Sequence, residues 1–481
     1  MAVHQHAKYK TLANDIIDRI QQQQLKSGDK LPSLRQFCIQ HDISMTTAIR
    51  CFEHVEHLGF AIAVAKKGFF VSLPLNHQKP ENFPQFNGKK AKNALKPSTI
   101  KQLISQRLIN TNAQQQPLSS GQLGASLVDH KSISACFNRA LRRSQFQHFS
   151  YGDPRGNQQL RQAITRHFAS KGLALNTEEI MISNGCIDAV ALSIEAITKP
   201  GDTIAVSSPC YNGLLQLIAL TNRYVLEVPS TDQGIDLDQL QRLAKEQKIQ
   251  ACLLTANYQN PTGHSLPIEQ KKLLANFAQQ YRIPIIEDDV YGELTHSGAL
   301  PLPIKYWDHD GWVIWCSSVS KTLSPGLRIG WLHSGRFYEE LLKQRFIKTL
   351  GINEITQLGL AEYINTGLYA KHLTKVNSYL KKQISDYRCF LQNILPNDSY
   401  ISSPKGGTVL WIKVPKLDSN QLMIKCELDN IYIRPGDLFS SRRLYKNFFR
   451  INAGWPLTED IKKQLIIIQK KIIIQLKKTN Q

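Results

Sequence analysis

The sequence predicts a multidomain chain: a small helical head closed by a β-hairpin, then a longer α/β domain. Three observations carry this. Residues 1–75 show three helical periodicities followed by two short alternating strands. From Leu118 onward strands and helices alternate, the mark of a sheet covered by helices. Between them, residues 76–117 are rich in Asn, Gln, Lys and Pro and read as a linker. A chain of 481 residues has room for more than one core.

Composition narrows the class further. The 42% hydrophobic and 20% charged residues are ordinary for a globular protein. No apolar run is long enough to cross a bilayer, and residues 1–10 lack the apolar core of a signal peptide, so no membrane partner is expected. The nine cysteines are scattered, without a Cys-x-x-Cys pair. That argues against a disulfide framework and against a metal site, and fits a reducing cytoplasm. The net charge of +21 points to a polyanionic partner, most simply nucleic acid.

In the head, residues 9–23 place Leu12, Ile16, Ile17 and Ile20 on one helical face. After the Gly28-Asp29 turn, Pro32-Ser33 opens a second helix that ends near His41. Ser44 is a natural N-cap for a third, which turns Ala48, Ile49, Phe52, Val55 and Leu58 inward until Gly59. Strands at 60–64 and 69–72 join across Ala65-Lys-Lys-Gly68. Three helices and a basic-tipped hairpin make an all-α winged helix-turn-helix. Its third helix enters the major groove of double-stranded DNA by its first turn. Ser44, Met45, Thr46, Thr47 and Arg50 project there, with Arg50 the candidate for a base edge or a phosphate. Arg35 is expected to reach the DNA backbone from the second helix, and Lys66 and Lys67 from the wing. In the linker only residues 98–109 have helical periodicity; its lysines either track DNA or are simply solvated.

In the α/β domain, Tyr151-Gly-Asp-Pro-Arg-Gly156 is a turn-rich loop before a helix at 160–169. A strand at 179–183 passes through Asn184-Gly185-Cys186 into a helix at 187–197, a turn that can bind an anion. Cys186 is there either as a reactive thiolate or for its backbone amide; the amide is preferred, since no histidine base is near in sequence. A strand at 203–207 leads to Tyr211, which either stacks on a planar ring or packs in the core. A strand at 251–255 leads to Asn260, whose backbone the following proline keeps extended. A strand at 283–286 runs into Glu287, Asp288 and Asp289, three acids that need partners, and then Tyr291. Residues 338–350 and 356–395 read as helices, 406–412, 431–433 and 448–452 as strands, and 461–478 as a closing amphipathic helix. Arg450 lies among apolar neighbours, where a guanidinium wants a planar anion such as a carboxylate.

The densest stretch lies between strands at 312–315 and 329–332: Cys316-Ser-Ser-Val-Ser-Lys-Thr-Leu-Ser-Pro-Gly-Leu-Arg328. Apolar flanks put Lys321 where water is scarce, and a desolvated lysine condenses readily with an aldehyde. Ser318, Ser320 and Arg328 supply donors for a phosphate. An aldehyde with a phosphate describes pyridoxal 5'-phosphate (PLP). One of the three acids facing its ring nitrogen would keep that nitrogen protonated.

Leu31-Pro-Ser-Leu-Arg35, Ser44-Met-Thr-Thr-Ala-Ile-Arg50 and Gly68-Phe-Phe-Val71 resemble the GntR-type reader. That family often has arginine where Met45 stands, so one contact is missing or apolar here; Met45 and Thr46 would then meet thymine methyls. From Leu118 to the C-terminus the motifs resemble fold type I PLP enzymes of the aspartate aminotransferase class, with large and small subdomains. This resemblance implies Lys321 as the Schiff-base lysine, Asp288 as partner of the pyridine nitrogen, and Tyr291 and Asn260 at the 3-hydroxyl. It implies Gly185, Cys186, Ser318 and Arg328 at the phosphate, Tyr211 at the ring stack and Arg450 on a substrate carboxylate. Tyr151 would be lent across a homodimer. The fusion of the two parts resembles the MocR (GabR-type) regulators, in which the second domain is implied to sense an effector and to dimerise. The expected function is PLP-dependent transcriptional regulation in which the second domain senses PLP, an amino-acid or amine effector, or both. Two alternatives stay open: a working aminotransferase, and a sensor of PLP itself governing vitamin B6 supply.

Overall fold

The computed structural model describes residues 2–22, 24–25, 28–58, 60–64, 68–71, 116–143, 151–231, 233–349 and 351–479. Contacts divide the chain into two units, Met1–Phe83 and Pro84–Gln481. Lys66 and Lys67, and the predicted linker helix at 98–109, lie outside the described residues.

The first unit holds helices α1 (Ala2–Gln21), α2 (Leu34–His41) and α3 (Met45–His57) and the antiparallel strands β1 (Ala61–Val64) and β2 (Gly68–Val71). Serines start both short helices. Ser33 forms a capping box with Gln36, and Ser44 Oγ accepts from the Thr47 amide at 3.2 Å. Each cap contributes about 1 kcal/mol. The core gathers Ile16 and Ile20 from α1, Phe37 from α2, Ala48, Cys51, Phe52 and Val55 from α3, and Ala61 and Val71 from the hairpin. Ile49 and Leu58, predicted inward, are 38% and 41% exposed. The stripe through residues 48, 51, 52 and 55 leaves both on its flanks, at about 100° per residue. The Leu31 amide bonds Phe69 O at 2.9 Å, tying the approach to α2 onto the hairpin.

The second unit is built on an eight-stranded sheet. Its strands are β3 (Ile180–Ser183), β4 (Thr203–Ser208), β5 (Tyr224–Thr231), β6 (Gly234–Ile235), β7 (Ala251–Leu254), β8 (Ile285–Asp288), β9 (Val313–Ser318) and β10 (Gly330–His333). Their order is β3-β10-β9-β8-β7-β4-β5-β6. Strands β5, β4, β7, β8 and β9 run parallel, while β10 is antiparallel to both its neighbours. Both faces are buried, which is why the strands read as apolar runs. Ile204 and Val206 of β4 face one core and Ala205 the other. Each fully buried aliphatic side chain contributes about 1.5–3 kcal/mol. A second sheet, β11 (Tyr400–Ile401), β12 (Val409–Lys413), β13 (Arg434–Pro435) and β14 (Phe448–Asn452), is antiparallel in the order β11-β12-β14-β13.

Some boundaries differ from expectation. Strand β8 ends on Asp288, so two of the three acids lie inside the strand. No strand forms at 431–433; pairing falls on Arg434–Pro435 instead. The helix predicted over 356–395 is broken at Gly367, whose φ of 73° suits glycine, into Glu354–Asn365 and Leu368–Ile394. Strand Phe448–Asn452 has the predicted bounds. Helix His130–Arg143 and strand Tyr224–Thr231 were not among the predicted elements. Among the described residues no helix is long and apolar enough to cross a membrane.

Candidate active site

The site lies beyond the C-terminal ends of the parallel strands, where open α/β sheets bind ligands. Gly185 follows β3, Tyr211 follows β4, Asn260 follows β7, Tyr291 follows β8, and Ser320 and Lys321 follow β9. From the second sheet Arg450 on β14 reaches the same place. Its Nη1 donates to Asn260 Oδ1 at 3.3 Å and its Nη2 to Ser119 O. The convergence is fixed by Gly121. A Cβ built there would lie 2.7 Å from Tyr291 Oη, 3.6 Å from Lys321 Nζ and 4.0 Å from Arg450 Nη1. Residues 119–121 are part of the site, and the sequence reading missed them. The signal was a glycine after two serines at the domain start, too common a pattern to single out.

Burial sets the electrostatics. It lowers Lys321 from the ordinary lysine range, with Tyr211 and Asp288 opposing the shift. It pushes Tyr291 up to about 12 and Arg450 down to about 10. The three acids separate. Glu287 accepts from the Ile304 and Lys305 amides at 2.8 and 3.0 Å. Asp289 accepts from Asn257 Nδ2 and Trp315 Nε1, both at 3.0 Å. Asp288 is the one turned to the site: its Oδ1 accepts from Cys186 Sγ at 3.1 Å, and Lys321 acts on it electrostatically. Burial raises all three, Asp288 against the pull of these donors. Cys186 is buried and its thiol lies well above the usual range, chiefly by desolvation. Such burial disfavours a reactive thiolate, which needs an electropositive and partly exposed setting.

The anion end is preformed. Gly185, at φ 94°, starts the helix Cys186–Ile197 with no side-chain cap, so its first amides are open. Arg328 Nη2 donates to Asn184 O at 2.5 Å, and a Cβ on Gly185 would come within 3.0 Å of that guanidinium. Gly330 lets the turn approach, since a Cβ there would meet Gly185 C at 2.5 Å. Ser318 Oγ accepts from the Ser320 amide at 3.3 Å, while Ser320 Oγ is buried with no partner among the described residues. Tyr211 is half-buried and lies against Gly213, where a Cβ would be 2.5 Å from its ring. Tyr151 stands apart at 86% exposure, in none of these contacts.

Behind Lys321 lies a buried network that sequence reasoning did not find. Thr322 Oγ1 is 2.8 Å from Tyr369 Oη, which donates to Glu293 Oε2 at 2.8 Å. Glu293 Oε1 lies 2.6 Å from both His167 Nε2 and Lys171 Nζ. These partners outweigh burial and hold Glu293 down at about 2.

In the first unit, Arg35, Thr46 and Arg50 are exposed, as is Met45. Ser44 and Thr47 are engaged with each other, hydroxyl to hydroxyl at 2.8 Å.

A desolvated amine, a buried carboxylate and an uncapped helix with an orphaned serine hydroxyl fit pyridoxal phosphate. Together with the sheet order they define a fold type I PLP-dependent transferase domain. The aminotransferase class I and II family matches residues 117–463. The uncharacterized HTH-type transcriptional regulator YdcR of Escherichia coli (strain K12) is 31% identical, over 94% of this chain and 96% of its own. YjiR of the same organism, also an uncharacterized HTH-type transcriptional regulator, is 28% identical, over 95% and 97%. The crystal structure of a multiple substrate aminotransferase from Thermococcus profundus shares the fold. It has a TM-score of 0.73 and 24% identity, over 80% of this chain and 97% of that one. The chain belongs to the aminotransferase class I and II family, in the MocR (GabR-type) branch of HTH-type transcriptional regulators that carry this domain. Its cofactor is pyridoxal phosphate.

Gly121→Ala is expected to weaken cofactor capture on the order of 10-fold, because Tyr291 Oη must yield to the new methyl. Titration of the purified chain with PLP, followed by absorbance, checks this.

Proposed function

We propose that the chain is a DNA-binding regulator whose aminotransferase-like domain senses an amino-acid or amine effector. The observation that carries it is a pairing within one chain. The first turn of α3, capped by Ser44, leaves Met45 and Thr46 exposed, and the second unit holds a half-buried Lys321 near Asp288, Tyr291 and Arg450. The first unit acts as a GntR-type winged helix-turn-helix. Met45, Thr46 and Arg50 would face the major groove, Arg35 the DNA backbone, and Lys66 and Lys67 would extend the contact. Ser44 and Thr47 would act through the cap they form.

Bound PLP supplies an aldehyde that takes up a primary amine and a ring that withdraws electrons. Lys321 would hold it covalently. The Gly185–Cys186 turn, Ser318, Ser320 and Arg328 would bind its phosphate, and Tyr211 would stack on its ring. Asp288 would hold the ring-nitrogen proton, and Asn260 and Tyr291 would bind the 3-hydroxyl oxygen. Tyr151, exposed in one chain, would serve the partner subunit of a homodimer. Arg450 would take the effector's carboxylate in its planar fork. Effector and DNA are then linked, and each changes the other's affinity by the same factor.

The test is a titration of the full chain on duplex from its own upstream region, with and without PLP and single amino acids. A shift of the binding midpoint with PLP plus one amino acid is expected. Arg50→Ala should weaken binding about 10- to 100-fold while leaving the cofactor's absorbance intact. An unchanged DNA affinity would remove α3 from the interface. The gathering of Lys321, Asp288, Tyr291 and Arg450 also favours a second reading, transamination; fast ping-pong turnover of amino-acid and keto-acid pairs would support it.

A further inference from the structure

We infer that the ligand gripped by Arg450 carries a second anionic group received by Arg434, which makes it an acidic, dicarboxylic amino acid. This rests on the reading of Arg450 as a carboxylate site. Strands β13 and β14 pair Arg434 with Arg450, and β12 places Trp411 on the other side of Arg450. Residues opposite each other on neighbouring strands project from one face, with Cβ atoms about 5 Å apart. The second sheet therefore presents two guanidiniums side by side.

Like charges in that position repel, and burial worsens it. Arg450 is 3% exposed and Arg434 partly buried. Neither forms an ion pair among the described residues. The bonds of Arg450 go to the Ser119 carbonyl and the Asn260 amide oxygen, and its Nε is buried without a partner among the described residues. Arg434 makes no ion pair or hydrogen bond among the described residues; Glu427 and the phenol of Tyr211 act on it only through space. Desolvation holds both guanidiniums below their usual range. Tyr211 acts electrostatically on Lys321, Arg450 and Arg434, so all three cations border one region. A ligand with an amine for the Lys321 side, one carboxylate for Arg450 and another for Arg434 would match these charges. A monocarboxylate would leave Arg434 with only Glu427 and Tyr211 acting through space and no bonded anion, and that difference is the source of selectivity.

The experiment titrates the PLP-loaded full chain with L-glutamate and with L-norvaline, which has the same chain length without the second carboxylate. Binding is read by calorimetry and by the cofactor's absorbance. Glutamate is expected to bind about 10- to 100-fold tighter. Arg434→Gln should cut that ratio below about 3-fold, with Arg434→Lys in between, since a point charge replaces a fork. A wild-type ratio near one, or a ratio that survives Arg434→Gln, overturns the inference. Arg450→Gln separates the two levels. If it leaves norvaline binding unchanged, the carboxylate reading of Arg450 fails and the inference with it. If it weakens norvaline while Arg434→Gln leaves the ratio alone, only the inference falls.

Discussion

Replacing Lys321 with alanine is expected to abolish covalent capture of pyridoxal phosphate. After borohydride treatment, the intact mass of the wild-type chain should rise by one cofactor and that of the variant should not change. The attacking group is a neutral amine, and burial of Lys321 favours that form. Capture should therefore persist well below the ordinary lysine pKa of about 10.4. The Gly185–Cys186 turn proposed to bind the phosphate is untouched by the substitution, so the variant should still bind PLP reversibly, only more weakly. The lysines buried elsewhere are poor substitutes. Lys271 Nζ donates to Asn257 Oδ1 at 2.6 Å and Leu302 O at 2.9 Å, and Lys305 Nζ pairs with Asp308 at 2.8 Å. A mass increase in the variant would mean that one of these, or an exposed lysine, carries the cofactor.

Glu293→Gln is expected to be the most damaging single change to stability away from the cofactor. Glu293 is buried between His167, Lys171 and Tyr369, and Tyr369 in turn holds Thr322, the neighbour of Lys321. Removing its charge leaves the half-buried Lys171 ammonium without its anion and weakens the bonds to His167 and Tyr369, a loss on the order of 3 kcal/mol. The depressed carboxyl predicts the pH dependence. Its contribution is fully present above the unfolded-state value, near 4.3, and is lost as pH falls toward about 2. From a shift of this size the contribution is on the order of 3 kcal/mol. Wild type and variant should therefore differ most in urea midpoint at pH 7, and the gap should narrow at pH 3. Equal midpoints at pH 7 would show that the network does not hold this region.

Much of the fold was legible because its signals are local. Ser33 and Ser44 announce helix starts through hydrogen bonds to amides three residues on. Strand Phe448–Asn452 and the strands that flank Lys321 announce themselves by apolar runs between turn residues. The cluster of hydroxyls around Lys321 carries its chemistry within thirteen residues, so no distant partner was needed to notice it. Boundaries failed where a tertiary contact decided them. Burial on both faces carries β8 through Glu287 and Asp288, because amides and a thiol from other segments satisfy those carboxylates.

By itself the sequence determined the change from a helical head to alternating strands and helices, the turn at Gly185 and the choice of Lys321 as the candidate Schiff-base lysine. Caps, glycine turns and alternation are properties of near neighbours. The resemblance had singled out Asp288; only the tertiary structure decided that Gly121 lies against Tyr291, Lys321 and Arg450, which donors satisfy each of the three acids, and that Arg434 stands opposite Arg450. Those outcomes depend on strand register and sheet order. A shift of one residue in register would turn Asp288, Arg434 or Arg450 to the other face of its sheet, and the composition would read the same.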